Sequence, residues 1–515
     1  MLSLTRYRVV DFLLRPITLI ALIAFLQLSI TLLSDGFVLS FDEAIWHYIG
    51  RNWLHHALPP YSGGVDNKSP FIFFLFGLSD MLFGPNYWFP RLIGTACELT
   101  GLFFLYKVTN IIANKAAGIL VIPIYGLSLL WNGTGGKYVD FTETFETMCL
   151  IIAIYHSLSA VKFRDWVKTG VWAGLALDFR ITAAFGILAI LLSGKLERRT
   201  LRNNMALLAG VFIGIAILLT FCQFTGIKLK DLWTYGFSDN FGAGSATDLT
   251  QVYKLNSFIL RFLDGPIITF YPLLLAYTYI RRTFDLPICW CLLSFIAINL
   301  VGIFDVVHLK DILPSLALTN AIALSYLTNR YQIRFSWIFF AVCGLFFPSL
   351  SEAMRNVKIL SGQKQTALAY GKKPYINPSE GDRKLLAAWI KSHTQPEALV
   401  LVHSYGTQIQ CYCERLSPSI YFSVDRTLLA KKRFFRDMNK HHPELILVPM
   451  FEQYHQWVDA DQRSFITELL RQYYFLDTTL YNYRIYRHRS NLTKYSICPA
   501  IRMSKKRTIF HISDS

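Results

Sequence analysis

The sequence predicts a polytopic α-helical membrane protein that carries one water-soluble α/β domain at its carboxyl end. Three observations predict it. The 515 residues are 53% hydrophobic and only 17% charged, against roughly a quarter charged in an ordinary soluble domain. The charge is uneven, because 46 of the 85 charged residues lie in positions 1 to 351, making that part about 13% charged and the remainder about 24%. Apolar stretches approaching the roughly 20 residues needed to span a bilayer recur through the first part and stop there. Intrinsic disorder, fibrous repeats and a single soluble globule are excluded by this composition. The net charge of +17 would suggest nucleic acid if it formed a stripe on a soluble domain. Many of the basic residues instead punctuate apolar segments, so their placement is topological and no nucleic-acid partner is expected.

Eleven segments are expected to span: 16–34, 90–112, 116–131, 145–161, 168–180, 182–193, 206–225, 266–281, 286–303, 312–328 and 335–351. The first is too long for a signal peptide and has no small-residue cleavage site. A cytoplasmic amino terminus puts 15 basic residues in short inner loops, including the cluster Lys195, Arg198, Arg199 and Arg202, the positive-inside bias. The connections 35–89 and 226–265, the turns 132–144 and 304–311, and everything after 351 then lie outside. Pro70 to Phe83 is read as a helix at the outer interface, since counting it as a span would move the basic cluster outward. The two units are 1–351, a membrane module with outer juxtamembrane helices, and 352–515, a soluble domain with a basic tail, Lys505 to Arg507. In the second unit Ala398 to His403, Leu445 to Pro449 and Tyr483 to Tyr486 read as strands, and Asp382 to Ser392 and Asp461 to Tyr473 as helices.

The chemistry gathers in the predicted outer loops. Ser40 followed by Glu43 forms a capping box, which gives Glu43 the backbone N–H of Ser40 as a partner and leaves Asp42 without that duty. Trp46, Tyr48 and Trp53 on the same helix favour the headgroup region, so the helix is expected along the outer membrane surface. Lys68 precedes Ser69-Pro70 at the start of an apolar helix, where it could snorkel to a phospholipid or hold a substrate phosphate. Arg91 opens the second span. Asp178 and Arg180 sit at an outer end, as a structural ion pair or as functional groups. The second outer turn holds Lys137, Asp140, Glu143 and Glu146, of which Asp140 is the functional candidate, because the two glutamates suit the positive end of the next helix. His308, Lys310 and Asp311 complete a mixed set of charges. His47, His55 and His56 lack metal-ligand spacing, and Cys411 and Cys413 have no second cysteine pair for zinc. Six further cysteines lie in apolar stretches as inert thiols, and no disulfide framework is visible.

These motifs resemble a known family. The acidic pair Asp42-Glu43 after the first span, then Lys68-Ser69-Pro70, then Phe83-Gly84 and Arg91, are similar in order to the GT-C glycosyltransferases, in particular the protein O-mannosyltransferase superfamily and its bacterial branch, which includes lipid A aminoarabinose transferase. The resemblance covers roughly 35 to 325 and extends to the outer α/β domain. It implies a polyprenyl-phosphate sugar donor, inverting transfer on the outer face, and a lipid, glycan or protein hydroxyl as acceptor. It makes Asp42 the catalytic carboxylate and places Lys68 by the donor phosphate, while Asp140, from its place in the second outer turn, is the next catalytic candidate. Arg91 and Arg180 fall where the family carries cations, and Glu43, His308 and Lys310 join them as substrate-binding candidates. Asn67 stands where some bacterial members have an acid that can bind a metal, so no metal and no other cofactor is expected. The bottom-up chemistry agrees, since a hydroxyl attacking an anomeric carbon needs a carboxylate to take its proton, and a departing lipid phosphate needs fixed positive charge. A bacterial inner membrane is the expected location. A lipid-linked saccharide transporter or a ligase of the O-antigen type are the alternatives.

Overall fold

The computed structural model describes residues 15–33, 39–130, 138–192, 200–238, 267–281, 285–301, 306–345, 380–403, 406–422, 427–450, 458 and 460–491. The expected unit boundary at 351/352, Lys137, the inner basic residues Lys195, Arg198 and Arg199, and the tail Lys505 to Arg507 lie outside these residues. All eleven segments expected to span contain a helix: α1 (Pro16–Leu33), α4 (Trp88–Ile112), α5 (Lys115–Ser128), α6 (Thr142–Ser159), α7 (Phe163–Phe179), α8 (Ala183–Leu192), α9 (Leu201–Phe224), α10 (Ile267–Arg281), α11 (Leu286–Val301), α12 (Leu313–Arg330) and α13 (Phe335–Leu345). Among the described residues two of these, α4 and α9, with 25 and 24 residues, are long and apolar enough to cross a membrane by that measure alone.

Small residues hold the bundle together. α7 meets α9 along Gly170 and Gly174 on one side and Gly210 and Gly214 on the other, so closely that a Cβ on Gly170 would stand 2.0 Å from the Leu207 carbonyl oxygen. Such seams let backbones touch where lipid offers no hydrophobic drive between helices. The opposite side of α9 shows Phe212, Ile213 and Phe224 outward, an apolar outer surface that suits acyl chains rather than water.

The two helices of the first outer connection are α2 (Phe41–His56) and α3 (Pro70–Phe83). α2 starts with the expected capping box: the Glu43 N–H donates to Ser40 Oγ at 3.2 Å, and the Ser40 N–H donates back to Glu43 Oε2 at 2.5 Å. α3 starts with Pro70 after a Ser69 cap and ends at Gly84 with φ +70°. The pair crosses at Gly50 and Gly77, where a Cβ on Gly50 would lie 2.4 Å from the Gly77 nitrogen. The expectation of a helix lying among lipid headgroups is corrected for the side chains of α2. Residues 43 to 53 are all buried, and Trp46, Tyr48 and Trp53 pack in an aromatic core with Phe73, Phe76 and Phe141. The physical reason is that amphipathic rings satisfy their polar atoms equally well inside protein, as Trp46 Nε1 does on Asp66 Oδ2 at 2.6 Å.

Residues 380–491 contain α14 (Glu380–His393), α15 (Thr407–Cys413), α16 (Leu428–Lys440) and α17 (Ala460–Tyr473) around the strands β1 (Val400–Val402), β2 (Leu445–Pro449), β3 (Tyr474–Leu480) and β4 (Tyr483–His488). The sheet order is β1-β2-β4-β3, with β1 and β2 parallel and the other pairings antiparallel. β3 and β4 form a hairpin whose two linking residues, Tyr481 and Asn482, both have positive φ, 48° and 63°, the backbone of a two-residue hairpin turn. β3, α15 and α16 are not foreseen by the sequence reading.

Candidate functional site

Four buried polar groupings draw on α2, α3, α4, the start of α6 and the end of α7. In the first, Glu43 and Arg91 form a two-pronged pair, Nε to Oε1 at 2.7 Å and Nη2 to Oε2 at 2.9 Å, both side chains fully buried. Asp140 joins them from the turn before α6, its backbone against Gly94 of α4, and both of its carboxyl oxygens are buried without a hydrogen-bond partner. Burial, followed by the negative charge of Glu43, holds the Asp140 carboxyl well above the usual range, so Asp140 holds its proton more firmly than an exposed aspartate. Burial would raise Glu43 too, but the Arg91 charge outweighs it and keeps Glu43 below its ordinary value.

The second grouping centres on Arg180. Its guanidinium pairs with Glu143 and lies 3.7 Å from Glu146 Oε2 and 3.9 Å from Asp311 Oδ2. His308 Nδ1 is 2.9 Å from Glu143 Oε1, and Thr182 donates to Glu146 at 3.2 Å. The structural reading of Asp178 with Arg180 as an ion pair is corrected. Arg180 is the cap residue after α7 and turns across to α6, while Asp178 Oδ2 is buried without a hydrogen-bond partner. In the third grouping Lys310 is used up: its ammonium donates to Glu98 Oε1, the Tyr138 carbonyl and Thr144 Oγ1, each at 2.8 Å.

Lys68 stands apart from these cations. Its carbonyl is held by the Tyr61 hydroxyl at 3.0 Å, and its side chain is half-buried. Among the described residues its ammonium makes no hydrogen bond or ion pair, while its charge is felt at Glu143. The four cations singled out from the sequence therefore divide. Arg91, Arg180 and Lys310 are committed to protein carboxylates, and Lys68 is available to an anion. Asp42 lies half-buried in the first turn of α2, at the helix end that favours negative charge.

The fourth grouping is missed by sequence reasoning. Arg51 of α2 is buried and grips Asp80 of α3 with both prongs, 2.8 and 2.6 Å, and His47 Nδ1 lies 3.4 Å from the same carboxylate. Burial raises the Asp80 carboxyl, but His47 and Arg51 together hold it below the usual range. An arginine at the eleventh place of α2, between Tyr48-Ile49 and Trp53-Leu54, was the available signal.

With this geometry in hand, the chain can be compared with known proteins. Residues 67–223 match the family model of dolichyl-phosphate-mannose-protein mannosyltransferase. The fold is that of the GT-C glycosyltransferases, which bears out the resemblance read from the motifs. Two particular proteins share it. ArnT from Cupriavidus metallidurans in the apo state aligns with a TM-score of 0.58 at 14% identity, covering 91% of this chain and 97% of that one, and its complex with undecaprenyl phosphate with 0.56 at 12% over the same shares. The archaeal oligosaccharyltransferase AglB from Archaeoglobus fulgidus, in complex with an inhibitory peptide and a dolichol-phosphate, aligns with 0.53 at 11%, covering 92% and 74%. At these identities the likeness is one of fold. No curated protein sequence matches the chain.

Proposed function

We propose that this protein moves a sugar from a polyprenyl-phosphate donor to a hydroxyl of a lipid, glycan or protein acceptor, with inversion, on the outer face of a bacterial inner membrane. The observation that carries the reading is Lys68, a half-buried cation that makes no hydrogen bond or ion pair among the described residues, set just before the Ser69 cap of α3. In this reading eleven helices cross the membrane, the amino terminus is cytoplasmic, and residues 380–491 stand outside. The family match and the shared fold support it, together with the undecaprenyl phosphate and dolichol-phosphate bound in structures that share the fold.

The acceptor oxygen attacks the anomeric carbon from the side opposite the phosphate, and Asp42 takes its proton. The bond from that carbon to the phosphate oxygen breaks, the electron pair leaves with the polyprenyl phosphate, and Lys68 stabilises the charge that develops there. Glu43, Arg91 and Asp140 hold the turn that carries Asp42. The Arg180 grouping, with Glu143 and His308, shapes the field around Lys68. No metal is assigned a step, and transfer should persist in excess chelator. The test is the purified protein with undecaprenyl-phosphate sugars and candidate acceptors, read by mass spectrometry, comparing Asp42→Asn with wild type. Loss of transfer with donor binding retained supports the reading. Normal transfer by Asp42→Asn moves the catalytic acid elsewhere, and vectorial movement of the lipid-linked sugar without transfer favours a transporter.

A further inference from the structure

The helix that carries Asp42 is seated directly on the carboxyl-terminal domain. Thr407, the first residue of α15, donates its hydroxyl to the carbonyl of Phe41 at 3.4 Å, the residue before Asp42. Leu39 and Ala44 share a small buried cluster with Cys411 of α15. One turn and a half further along α2, the Tyr48 hydroxyl accepts from the Ser417 N–H at 2.7 Å, and its ring lies 4.2 Å from that of Phe422. At the far side of the loop between α2 and α3, the Val65 N–H donates to the Ile420 carbonyl at 3.1 Å.

Arg51 completes the seat. With two of its nitrogens on Asp80, it donates the third, Nη1, to the Cys411 carbonyl at 2.5 Å. Cys411 lies in the last turn of a seven-residue helix, where carbonyls have no partner within the helix and the dipole end is negative. A buried guanidinium caps that end while neutralising Asp80, so one side chain ties α2, α3 and α15 at a single point. α2 is thereby pinned near its start by Thr407 and two and a half turns later by Arg51. A helix held at two heights on one side, and by Glu43 to Arg91 on another, can neither slide nor rotate about its axis.

We infer that α15 and Arg51 form a positioning device for Asp42, so that the carboxyl-terminal domain is a working part of the active site rather than a separate module displayed beside it. The domain sets the height and rotation of the catalytic turn, and Arg51 acts through α2 without touching the substrate. This inference rests on the proposed role of Asp42.

The test uses the full chain purified in lipid nanodiscs, with Arg51→Gln, Arg51→Lys and Tyr48→Phe measured for kcat, donor KM, polyprenyl-phosphate binding and thermal midpoint. Misplacing a reacting group by about 1 Å costs on the order of a hundredfold in rate, so Arg51→Gln should lose kcat on that order while donor binding changes less than about threefold. Arg51→Lys, able to keep one of the contacts, should recover part of the loss. Tyr48→Phe keeps the ring against Phe422 and removes only the acceptor for Ser417, and should lower kcat several-fold with the thermal midpoint unchanged. Wild-type kcat in folded Arg51→Gln and Tyr48→Phe overturns the inference, as does a parallel fall of kcat and donor binding, which marks general loosening. If Arg51→Gln does not fold, Tyr48→Phe decides alone. Asp42→Asn separates the two readings: if it transfers sugar normally, the proposed role of Asp42 fails first. If it is inactive while the Arg51 and Tyr48 variants keep wild-type kcat, only the positioning role fails.

Discussion

Glu43 and Arg91 meet as a fully buried, two-pronged ion pair between α2 and α4, with nitrogen-to-oxygen distances of 2.7 and 2.9 Å. The pair converts two residues that stand out in the sequence as site chemistry into structure. It also separates the neighbours Asp42 and Glu43, since Glu43 is engaged by Ser40 and Arg91 at once.

Removing Arg91 should therefore act on stability before chemistry. Arg91→Ala leaves the Glu43 carboxylate buried without its counter-charge, a loss of about 3–5 kcal/mol for a buried pair broken on one side. Glu43→Gln keeps a side chain able to cap α2 but abandons Arg91, and is expected to destabilise as well. Thermal unfolding in nanodiscs checks both. A folded Arg91→Ala with a wild-type midpoint and lost donor binding would return Arg91 to the phosphate site.

Lys68 should behave in the opposite way. With no hydrogen bond or ion pair to abandon among the described residues, Lys68→Ala should unfold at the wild-type temperature. Its turnover should fall on the order of a hundredfold or more, as when a single stabilising group is taken from a developing charge. Steady-state kinetics with the melting curve measure the two together, and unchanged turnover removes Lys68 from the site.

Asp140 carries a pH signature. Its carboxyl resists ionisation in the folded protein, so as pH rises past the ordinary value of 3.8 the unfolded chain releases a proton that the folded one keeps. That contribution to stability is complete at low pH and shrinks as pH climbs through the folded value. Glu43 runs the other way, its contribution present at neutral pH and lost as acid overtakes its lowered value. Asp140→Asn cannot ionise, so its stability should fall less between about pH 5 and 8 than that of wild type. Denaturation curves across that range test it, and identical slopes would deny Asp140 a raised value in the folded protein.

The glycine seam between α7 and α9 tolerates no side chain. Gly210→Val should abolish folded protein, since a Cβ there would lie 2.2 Å from the Val167 carbonyl oxygen, whereas Gly344→Ala on α13, where a Cβ meets nothing within 4 Å, should express normally. Yields of monodisperse protein after detergent extraction compare the two, and equal yields would deny the seam its role.

The sequence by itself determined the helical segments, the change of character toward the carboxyl end, the capping box at Ser40 and most of the charged residues that three of the buried groupings use. Those are local matters of hydropathy, charge spacing and side chains that bond their own backbone, and each is written within a few dozen residues. Only the tertiary structure decided how the charges divide. Glu43 finds Arg91 across 48 residues, Arg180 finds His308 across 128, and Arg51 reaches Cys411 across 360. A charged residue in an apolar setting announces that it needs a partner, but the choice among several opposite charges is made by which helices pack together. The same reason hid the seat of α2 on the carboxyl-terminal domain: its anchor points are backbone groups of Phe41, Cys411 and Ser417, and every residue carries those alike, so only the fold tells them apart.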